Sequence, residues 1–450
     1  MLVFNKIRKM KVRLSGLFIL LIAFILGFTP SLWAGPQERT MSLDELFQLA
    51  DSVSLTLKSA DSQSKVADAT IAVAKNGLLP DINFTASATY NGNAWMAERD
   101  FSNGQNLDSP HFGNNFALEV VQIVYAGGAI KRGIERAELQ AQLAHLDISN
   151  QRQRVRFLLT GYYLNLYKFR NMLGVVERNI ERTEQVIKDM RAREEQGLVL
   201  SNDITRYEVQ LQNLRYKRTE LMSQIDIFNN QLVITLNLPA DTQIMPDTEL
   251  LNLSLREYSE AELRNIAEEE LPLLKIGRTN IDISRKQEQI ARSGMIPKIS
   301  LFAGDRLQGP LTMELPPINK NLNTWYVGVG LSFNFGNLYK SQRDVNRTHL
   351  STAAAQSRYA EIKESVDLEI HQAYVNYRNA FELLHTQEKS LQLATENYAV
   401  TENRYNNDLV LLIDLLDADN IKLDAEIQYV NARINIIYNY YRLLYVTGTL

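Results

Sequence analysis

Asp414 and Asp417 stand three residues apart, close enough to share one face of a helix. Asp203 takes the place of Asp414 when Gly197-Leu198-Val199-Leu200-Ser201-Asn202-Asp203 is laid over the stretch beginning at Asp408, an offset of 211 residues. Carboxylates so placed could do acid/base work, draw cations into a constriction, or simply favour the positive end of a helix dipole. Acid/base catalysis needs a companion nucleophile or pocket. The chain has no Gly-x-x-x-x-Gly-Lys phosphate loop, no nucleophile elbow and no His-Glu-x-x-His. Its five histidines, His111, His145, His349, His371 and His385, include no pair three or four residues apart, so none has metal-ligand spacing. There are no cysteines, which excludes disulfides, thiolate metal sites, cysteine nucleophiles and a lipid-carrying N-terminal cysteine. No enzyme activity, metal or cofactor is expected.

The remaining composition sets bounds. A net charge of -4 gives no support to nucleic-acid binding, and an apolar content of 45% excludes general disorder. Lys6, Arg8, Lys9, Lys11 and Arg13 precede an apolar run, Leu14 to Phe28, followed by Pro30 and the small Ala34. This is the layout of a secretory signal peptide over residues 1–34, with a retained membrane anchor as the alternative; the run is shorter than the roughly 20 residues a spanning helix needs.

The carboxylates must be positioned by long helices. From Phe112 to Leu238 there is no proline, and Leu159, Leu166, Leu173, Ile180 and Ile187 recur at coiled-coil spacing. After the break at Gly197 to Asp203 a second phase runs through Ile204, Tyr207, Leu211, Leu214 and Leu221. The spacing predicts an antiparallel helical hairpin over 129–238, whose first helix is roughly 100 Å long. A second hairpin is predicted over 338–447, turning near Asp408.

The chain is a duplication. Ser42 to Ala86 aligns without a gap on Ser259 to Ala303, at an offset of 217. Both halves open on a Ser-x-x-Glu capping box, Ser42 with Glu45 and Ser259 with Glu262. Both helices end at Gly-x-x-Pro, Gly77 to Pro80 and Gly294 to Pro297. There the period changes to two. Ile82, Phe84, Ala86, Ala88 and Tyr90 alternate with Asn83, Thr85, Ser87 and Thr89; Trp325, Val327, Val329, Leu331, Phe333 and Phe335 do likewise in the second half. Strand pairs are predicted within 81–125 and 298–335, of a length that crosses a bilayer at a tilt. A soluble sandwich would also alternate, but it offers too little sheet for rods of this length. Strands in a membrane must close into a barrel, and single-chain barrels begin at eight strands, so four per chain implies construction by several chains. The chain thus divides into a first repeat, 35–258, with a linker at 240–258, and a second, 259–450.

With these features the chain resembles the TolC family of outer-membrane efflux proteins from about Ser42 to Leu450. The motifs that carry the likeness are the two Gly-x-x-Pro breaks, Gln122-Ile123-Val124-Tyr125-Ala126-Gly127-Gly128 at the first strand-to-helix junction, and the turns at Gly197 to Asp203 and Asp408 to Ala418. The resemblance implies an α/β membrane architecture: duplicated helical hairpins forming an α-barrel, and four strands per chain in a shared twelve-stranded β-barrel of a homotrimer. It implies an outer-membrane location, with lipid around the barrel and helices in the periplasm. It also implies a passive exit duct for a tripartite efflux or type I secretion system. By the same resemblance Asp414 and Asp417 line the periplasmic gate as carboxylate rings, and Asp203 and Tyr405 belong to the bonds that hold it shut. The turns Gly197, Leu198, Val199, Leu200 and Asp408, Leu409, Val410, Leu411 would dock a periplasmic adaptor (membrane fusion protein) tied to an inner-membrane pump of RND, ABC or MFS type. Exposure of Leu198, Val199, Leu409 and Val410 is expected there. Three departures stand out: Asp408 replaces the family's turn glycine, Val410 occupies a position that is arginine in the type member, and Phe335-Gly336-Asn337 lacks the usual Gly-Gly. A periplasmic coiled-coil adaptor and a structural rod are the alternatives, though an adaptor would usually have a single hairpin.

Overall fold

The computed structural model describes residues 37–247, 256–311, 317–407 and 409–450. The expected signal peptide and Asp408 lie outside the described residues. The chain begins with β1 (Gln37–Met41) and turns at Ser42 into α1 (Leu43–Val53). Ser42 Oγ accepts from Glu45 N (3.2 Å) and Ser42 N donates to Glu45 Oε2 (2.9 Å), a complete capping box. α2 (Leu55–Lys75) follows after a break at Ser54, where ψ is 123°. Four strands come next, β2 (Asp81–Tyr90), the short β3 (Ala94–Met96) and β4 (Gln105–Leu107), and β5 (Phe112–Ala126). The first long hairpin is α3 (Ala129–Glu194) and α4 (Ser201–Thr235), and β6 (Thr242–Pro246) closes this half.

The second half repeats the order: α5 (Glu260–Glu270), α6 (Pro272–Ser293), β7 (Lys298–Gly309), β8 (Leu322–Ser332), α7 (Asn337–Asn406) and α8 (Leu412–Thr447). Here the helix breaks at Leu271 because Pro272 is the first residue of α6, and a residue before proline is driven out of the helical region. The matching break at Ser54, 217 residues earlier, has no proline. A single helix leading into each strand pair was the expectation; in each half the structure has two.

Two wall segments result. α2 and α4 lie along the upper and lower parts of α3, while α6 and α8 do the same along α7; α3 in turn packs against α6 and α8. At mid-height the stretch 240–258, expected as the linker between the halves, contributes β6, which pairs in parallel with β1, Arg39 standing opposite Ile244. Tyr163, fully buried, joins the pieces. Its hydroxyl donates to Met41 O and accepts from Asp247 N, both at 2.8 Å. Leu46, Leu159, Leu166, Leu232 and Ile244 pack around it.

At the upper end β2, β5, β7 and β8 form an antiparallel sheet in that order. Cross-strand partners share a face. One face carries Phe84, opposite Leu118, opposite Asp305, opposite Trp325; the other carries Asn83, Glu119, Gly304 and Tyr326. On the apolar face Trp325, Val327, Val329 and Leu331 are 70–77% exposed, and Ile82 and Phe84 of β2 are exposed as well. The polar face holds an ion pair between Arg306 and Glu119 (3.2 Å). β8 ends at Ser332, short of the expected 335; Phe333 and Phe335 meet edge to face just beyond it. No helix among the described residues is long and apolar enough to cross a membrane.

Candidate gate at the hairpin tips

Both long helices end in the same way. Leu198 N donates to Arg193 O (3.0 Å) and Leu409 N to Arg404 O (2.9 Å), five residues back in each case and related by the offset of 211. This bond closes a helix through a left-handed residue, and Gly197 supplies it at φ 75°. The returning helices start from Leu200 and Leu411, both extended.

The turns leave apolar side chains in the open. Leu198, Leu200, Leu409 and Leu411 are each exposed by 71–72%. Val199 and Val410, expected to be exposed with them, are half-buried; Val199 packs back onto the tip core of Ile187, Met190, Ile204 and Leu412. An isolated turn would show every apolar residue, but the helices beneath give this one a floor.

Asp414 and Asp417 lie in the first two turns of α8, both exposed. Asp414 Oδ2 accepts from Leu411 N (3.0 Å), so it satisfies one of the unpaired donors of the helix start as well as presenting charge. Leucine has no side-chain acceptor, so only this half of a capping box exists here. Asp203 holds the corresponding place in α4 and is half-buried. Tyr405 is half-buried in the tip core with Ile187, Met190, Ile204, Tyr207 and Leu412, and the Arg193 guanidinium lies 5.9 Å from its ring centre.

One group of residues escaped sequence reasoning. About two turns above the tip, Arg182 of α3 bonds Asp419 of α8 at 2.9 Å, and Asp419 is buried. The Tyr398 ring of α7 lies under both Arg182 (5.1 Å) and Lys422 (4.5 Å), while its hydroxyl donates to Glu402 (2.8 Å). Burial pushes the Asp419 carboxyl above its usual range, and the Arg182 and Lys422 charges hold back only part of that rise. Burial likewise raises the Tyr398 and Tyr207 hydroxyls. Two more bonds tie α8 to the first hairpin, Asn179 to Glu426 (3.3 Å) and Gln210 to Asn420 (2.7 Å). Asp419 stood on a seam otherwise made of Leu412, Leu415, Leu416 and Leu423, and a charge on such a seam was the available signal. Among the described residues no group of three potential ligands could hold a metal ion.

The tips therefore combine exposed leucines, carboxylates at helix starts and a polar clasp between two hairpins. Comparison with known proteins places this arrangement. The chain is 23% identical to the proteases secretion protein PrtF of Dickeya chrysanthemi over 93% of its own length and 90% of that protein's. To outer membrane protein TolC of Escherichia coli it is 20% identical, covering 91% and 82%. Among solved structures, VceC of Vibrio cholerae aligns with a TM-score of 0.76 at 16% identity, over 90% of this chain and 96% of that one. CmeC of Campylobacter jejuni gives 0.72 at 17% identity, over 90% and 85%. The profile of the family described as "Outer membrane efflux protein" matches residues 46–237 and 263–449, one match in each half of the duplication. The chain belongs to the outer membrane efflux protein family, a family of outer-membrane transport ducts and not of enzymes.

Proposed function

We propose that the protein is a homotrimeric channel-tunnel, the passive exit duct of a tripartite efflux or type I secretion system, opened at its periplasmic tip by a docked adaptor. The observation that carries this reading is the four-stranded sheet. Among the described residues nothing pairs with the outer edges of β2 and β8, and one face of the sheet is apolar and exposed. In a bilayer such edges must be paired, and three copies give twelve strands, enough to close a barrel. The long helices then extend roughly 100 Å below it, a reach suited to the periplasm.

In this assembly Asp414 and Asp417 of three chains form carboxylate rings that favour cations and hold back anions. Asp203 and Tyr405 belong to the closed tip, and the Arg182–Asp419 pair adds a clasp that opening breaks. The exposed leucines of the two turns, with Gly197, Val199, Asp408 and Val410 between them, form the adaptor's docking surface. The relative PrtF is named for the secretion of proteases, which supports the secretion variant of this reading alongside the efflux one.

Cross-linking of the detergent-solubilised protein tests the assembly: a ladder ending at trimer supports it, and a monomer overturns it. Recovery in the soluble periplasm without detergent would exclude the barrel.

A further inference from the structure

The face of α8 that carries the tip aspartates continues up the helix. Residues seven apart return to one side of a supercoiled helix. That series runs Asp417, Asp424, Asn431, Tyr438, Tyr445, and beside it Asp414, Ile421, Gln428, Asn435. The first row changes from acidic to amide to aromatic with distance from the tip, and the second reaches the cation Arg442 one step beyond Asn435.

Where the amides begin, α3, α7 and α8, with Thr56 of α2 and Phe228 of α4, line an open concave site of about 960 Å³. Its lining has six side-chain amides, five aromatic rings and two cations, Arg154 and Lys168, but no carboxylate. Lys168 is half-buried, and burial lowers its pKa below the ordinary lysine range. Its ammonium lies 4.7 Å from the Phe169 ring, and among the described residues no carboxylate pairs with it. On the same helix Arg156 pairs with Asp51 (2.6 Å) and Arg182 with Asp419 (2.9 Å), whereas the half-buried Arg170, like Lys168, has no ion pair among the described residues. A half-buried ammonium without a counter-ion, on a concave face that also carries six amides, can take an anion. The apolar part of a ligand has a place too. Tyr162 lies roughly 9 Å along the helix from Lys168, and it packs on Phe228, which stacks on Phe169.

We propose that the concave face around Lys168 binds amphipathic organic anions, molecules joining an aromatic or alicyclic body to a carboxylate, sulfonate or phosphate. The anionic group sits on the Lys168 ammonium and the amides of Asn165, Asn431 and Asn435. The ring lies against Tyr162 and Phe228. That such anions are passengers of the duct rests on the function proposed above; the binding itself does not. Asn435 stands roughly 27 Å above Asp417 along the helix, so the site lies well beyond the carboxylate rings, whose barrier slows an anion's entry from the tip as much as its return.

Equilibrium binding of 1-naphthalenesulfonate to the full-length protein in a neutral detergent tests the site. Saturable binding near one molecule per chain is expected, with the 1-naphthyltrimethylammonium cation weaker by about tenfold or more. Lys168→Gln should weaken sulfonate binding by about tenfold or more, while Lys168→Arg keeps it within about threefold. No saturable binding, equal binding of anion and cation, or undiminished binding by Lys168→Gln would each overturn the proposal. Single-channel recording in planar bilayers is read separately: a wild-type protein that binds the sulfonate but never conducts removes the duct and leaves the anion site standing.

Discussion

Arg182 reaches across from α3 to place Nη1 2.9 Å from Oδ1 of Asp419 on α8, joining two hairpins that no covalent turn connects at that level. Asp419 is almost wholly buried, whereas Arg182 keeps about a quarter of its side chain in solvent (26%). The arginine therefore pairs at small desolvation cost, and the aspartate carries most of the penalty.

Asp419 holds its proton to a higher pH when folded than its ordinary 3.8, so its ionisation opposes folding. Stability from this group falls as pH rises from 3.8 through the folded pKa, then levels off. Arg182 limits that loss. Removing one partner of a fully buried pair costs about 3–5 kcal/mol; for the partly exposed Arg182 we expect Arg182→Ala to cost about 1–3 kcal/mol at neutral pH. The deficit should shrink toward zero at a pH well below 3.8, where Asp419 is protonated. Urea unfolding at both pH values measures this, and a deficit independent of pH would detach the two residues. The same variant should raise open probability in planar bilayers if the pair holds the tip shut.

At the proposed carboxylate rings, charge can be separated from capping. Asp414→Asn with Asp417→Asn removes the charge while leaving an acceptor near Leu411 N, so helix stability should change by less than about 1 kcal/mol. Cation preference in reversal-potential measurements should fall toward unity. Retained selectivity would move the filter away from these residues.

The four exposed leucines contribute little to folding, because surface substitutions of this kind usually fall within about 0.5 kcal/mol. Leu198→Ser with Leu409→Ser should leave the melting temperature unchanged and abolish co-purification of a periplasmic adaptor from native membranes. Undiminished co-purification would place docking on another surface.

Tyr163→Phe removes the hydroxyl between Met41 O and Asp247 N and leaves both backbone groups short of a partner. The expected cost is about 1–3 kcal/mol by chemical denaturation. Burial also pushes the Tyr163 hydroxyl up to about 12 from 10.0, so its share of stability is present below pH 10.0 and is lost as pH rises toward 12. The phenylalanine variant should lack that alkaline loss.

The duplication was visible because it is a matter of spacing: the 217-residue offset relates β2 to β7 and even the helix breaks at Ser54 and Leu271. Proline marks the second break, but serine, which any helix tolerates, leaves the first unmarked. The parallel pairing of β1 with β6 was equally hidden. It joins segments about 200 residues apart in the chain, and five-residue strands carry too little pattern to announce a partner.

What the sequence determined by itself is what repeats along the chain: two long hairpins, the alternating strands after each Gly-x-x-Pro, and the carboxylates at the starts of α4 and α8. Periodicity and capping are local properties, set by neighbours within a turn or two. Tertiary structure alone decided which charges are paired and which are left without a counter-ion. Asp419 and Lys168 look alike in sequence, each a charged residue on a helix with apolar neighbours. Packing brings Arg182 to the first and leaves the second facing amides and rings, because burial and counter-charge depend on the helix across the interface and not on the helix that bears the residue.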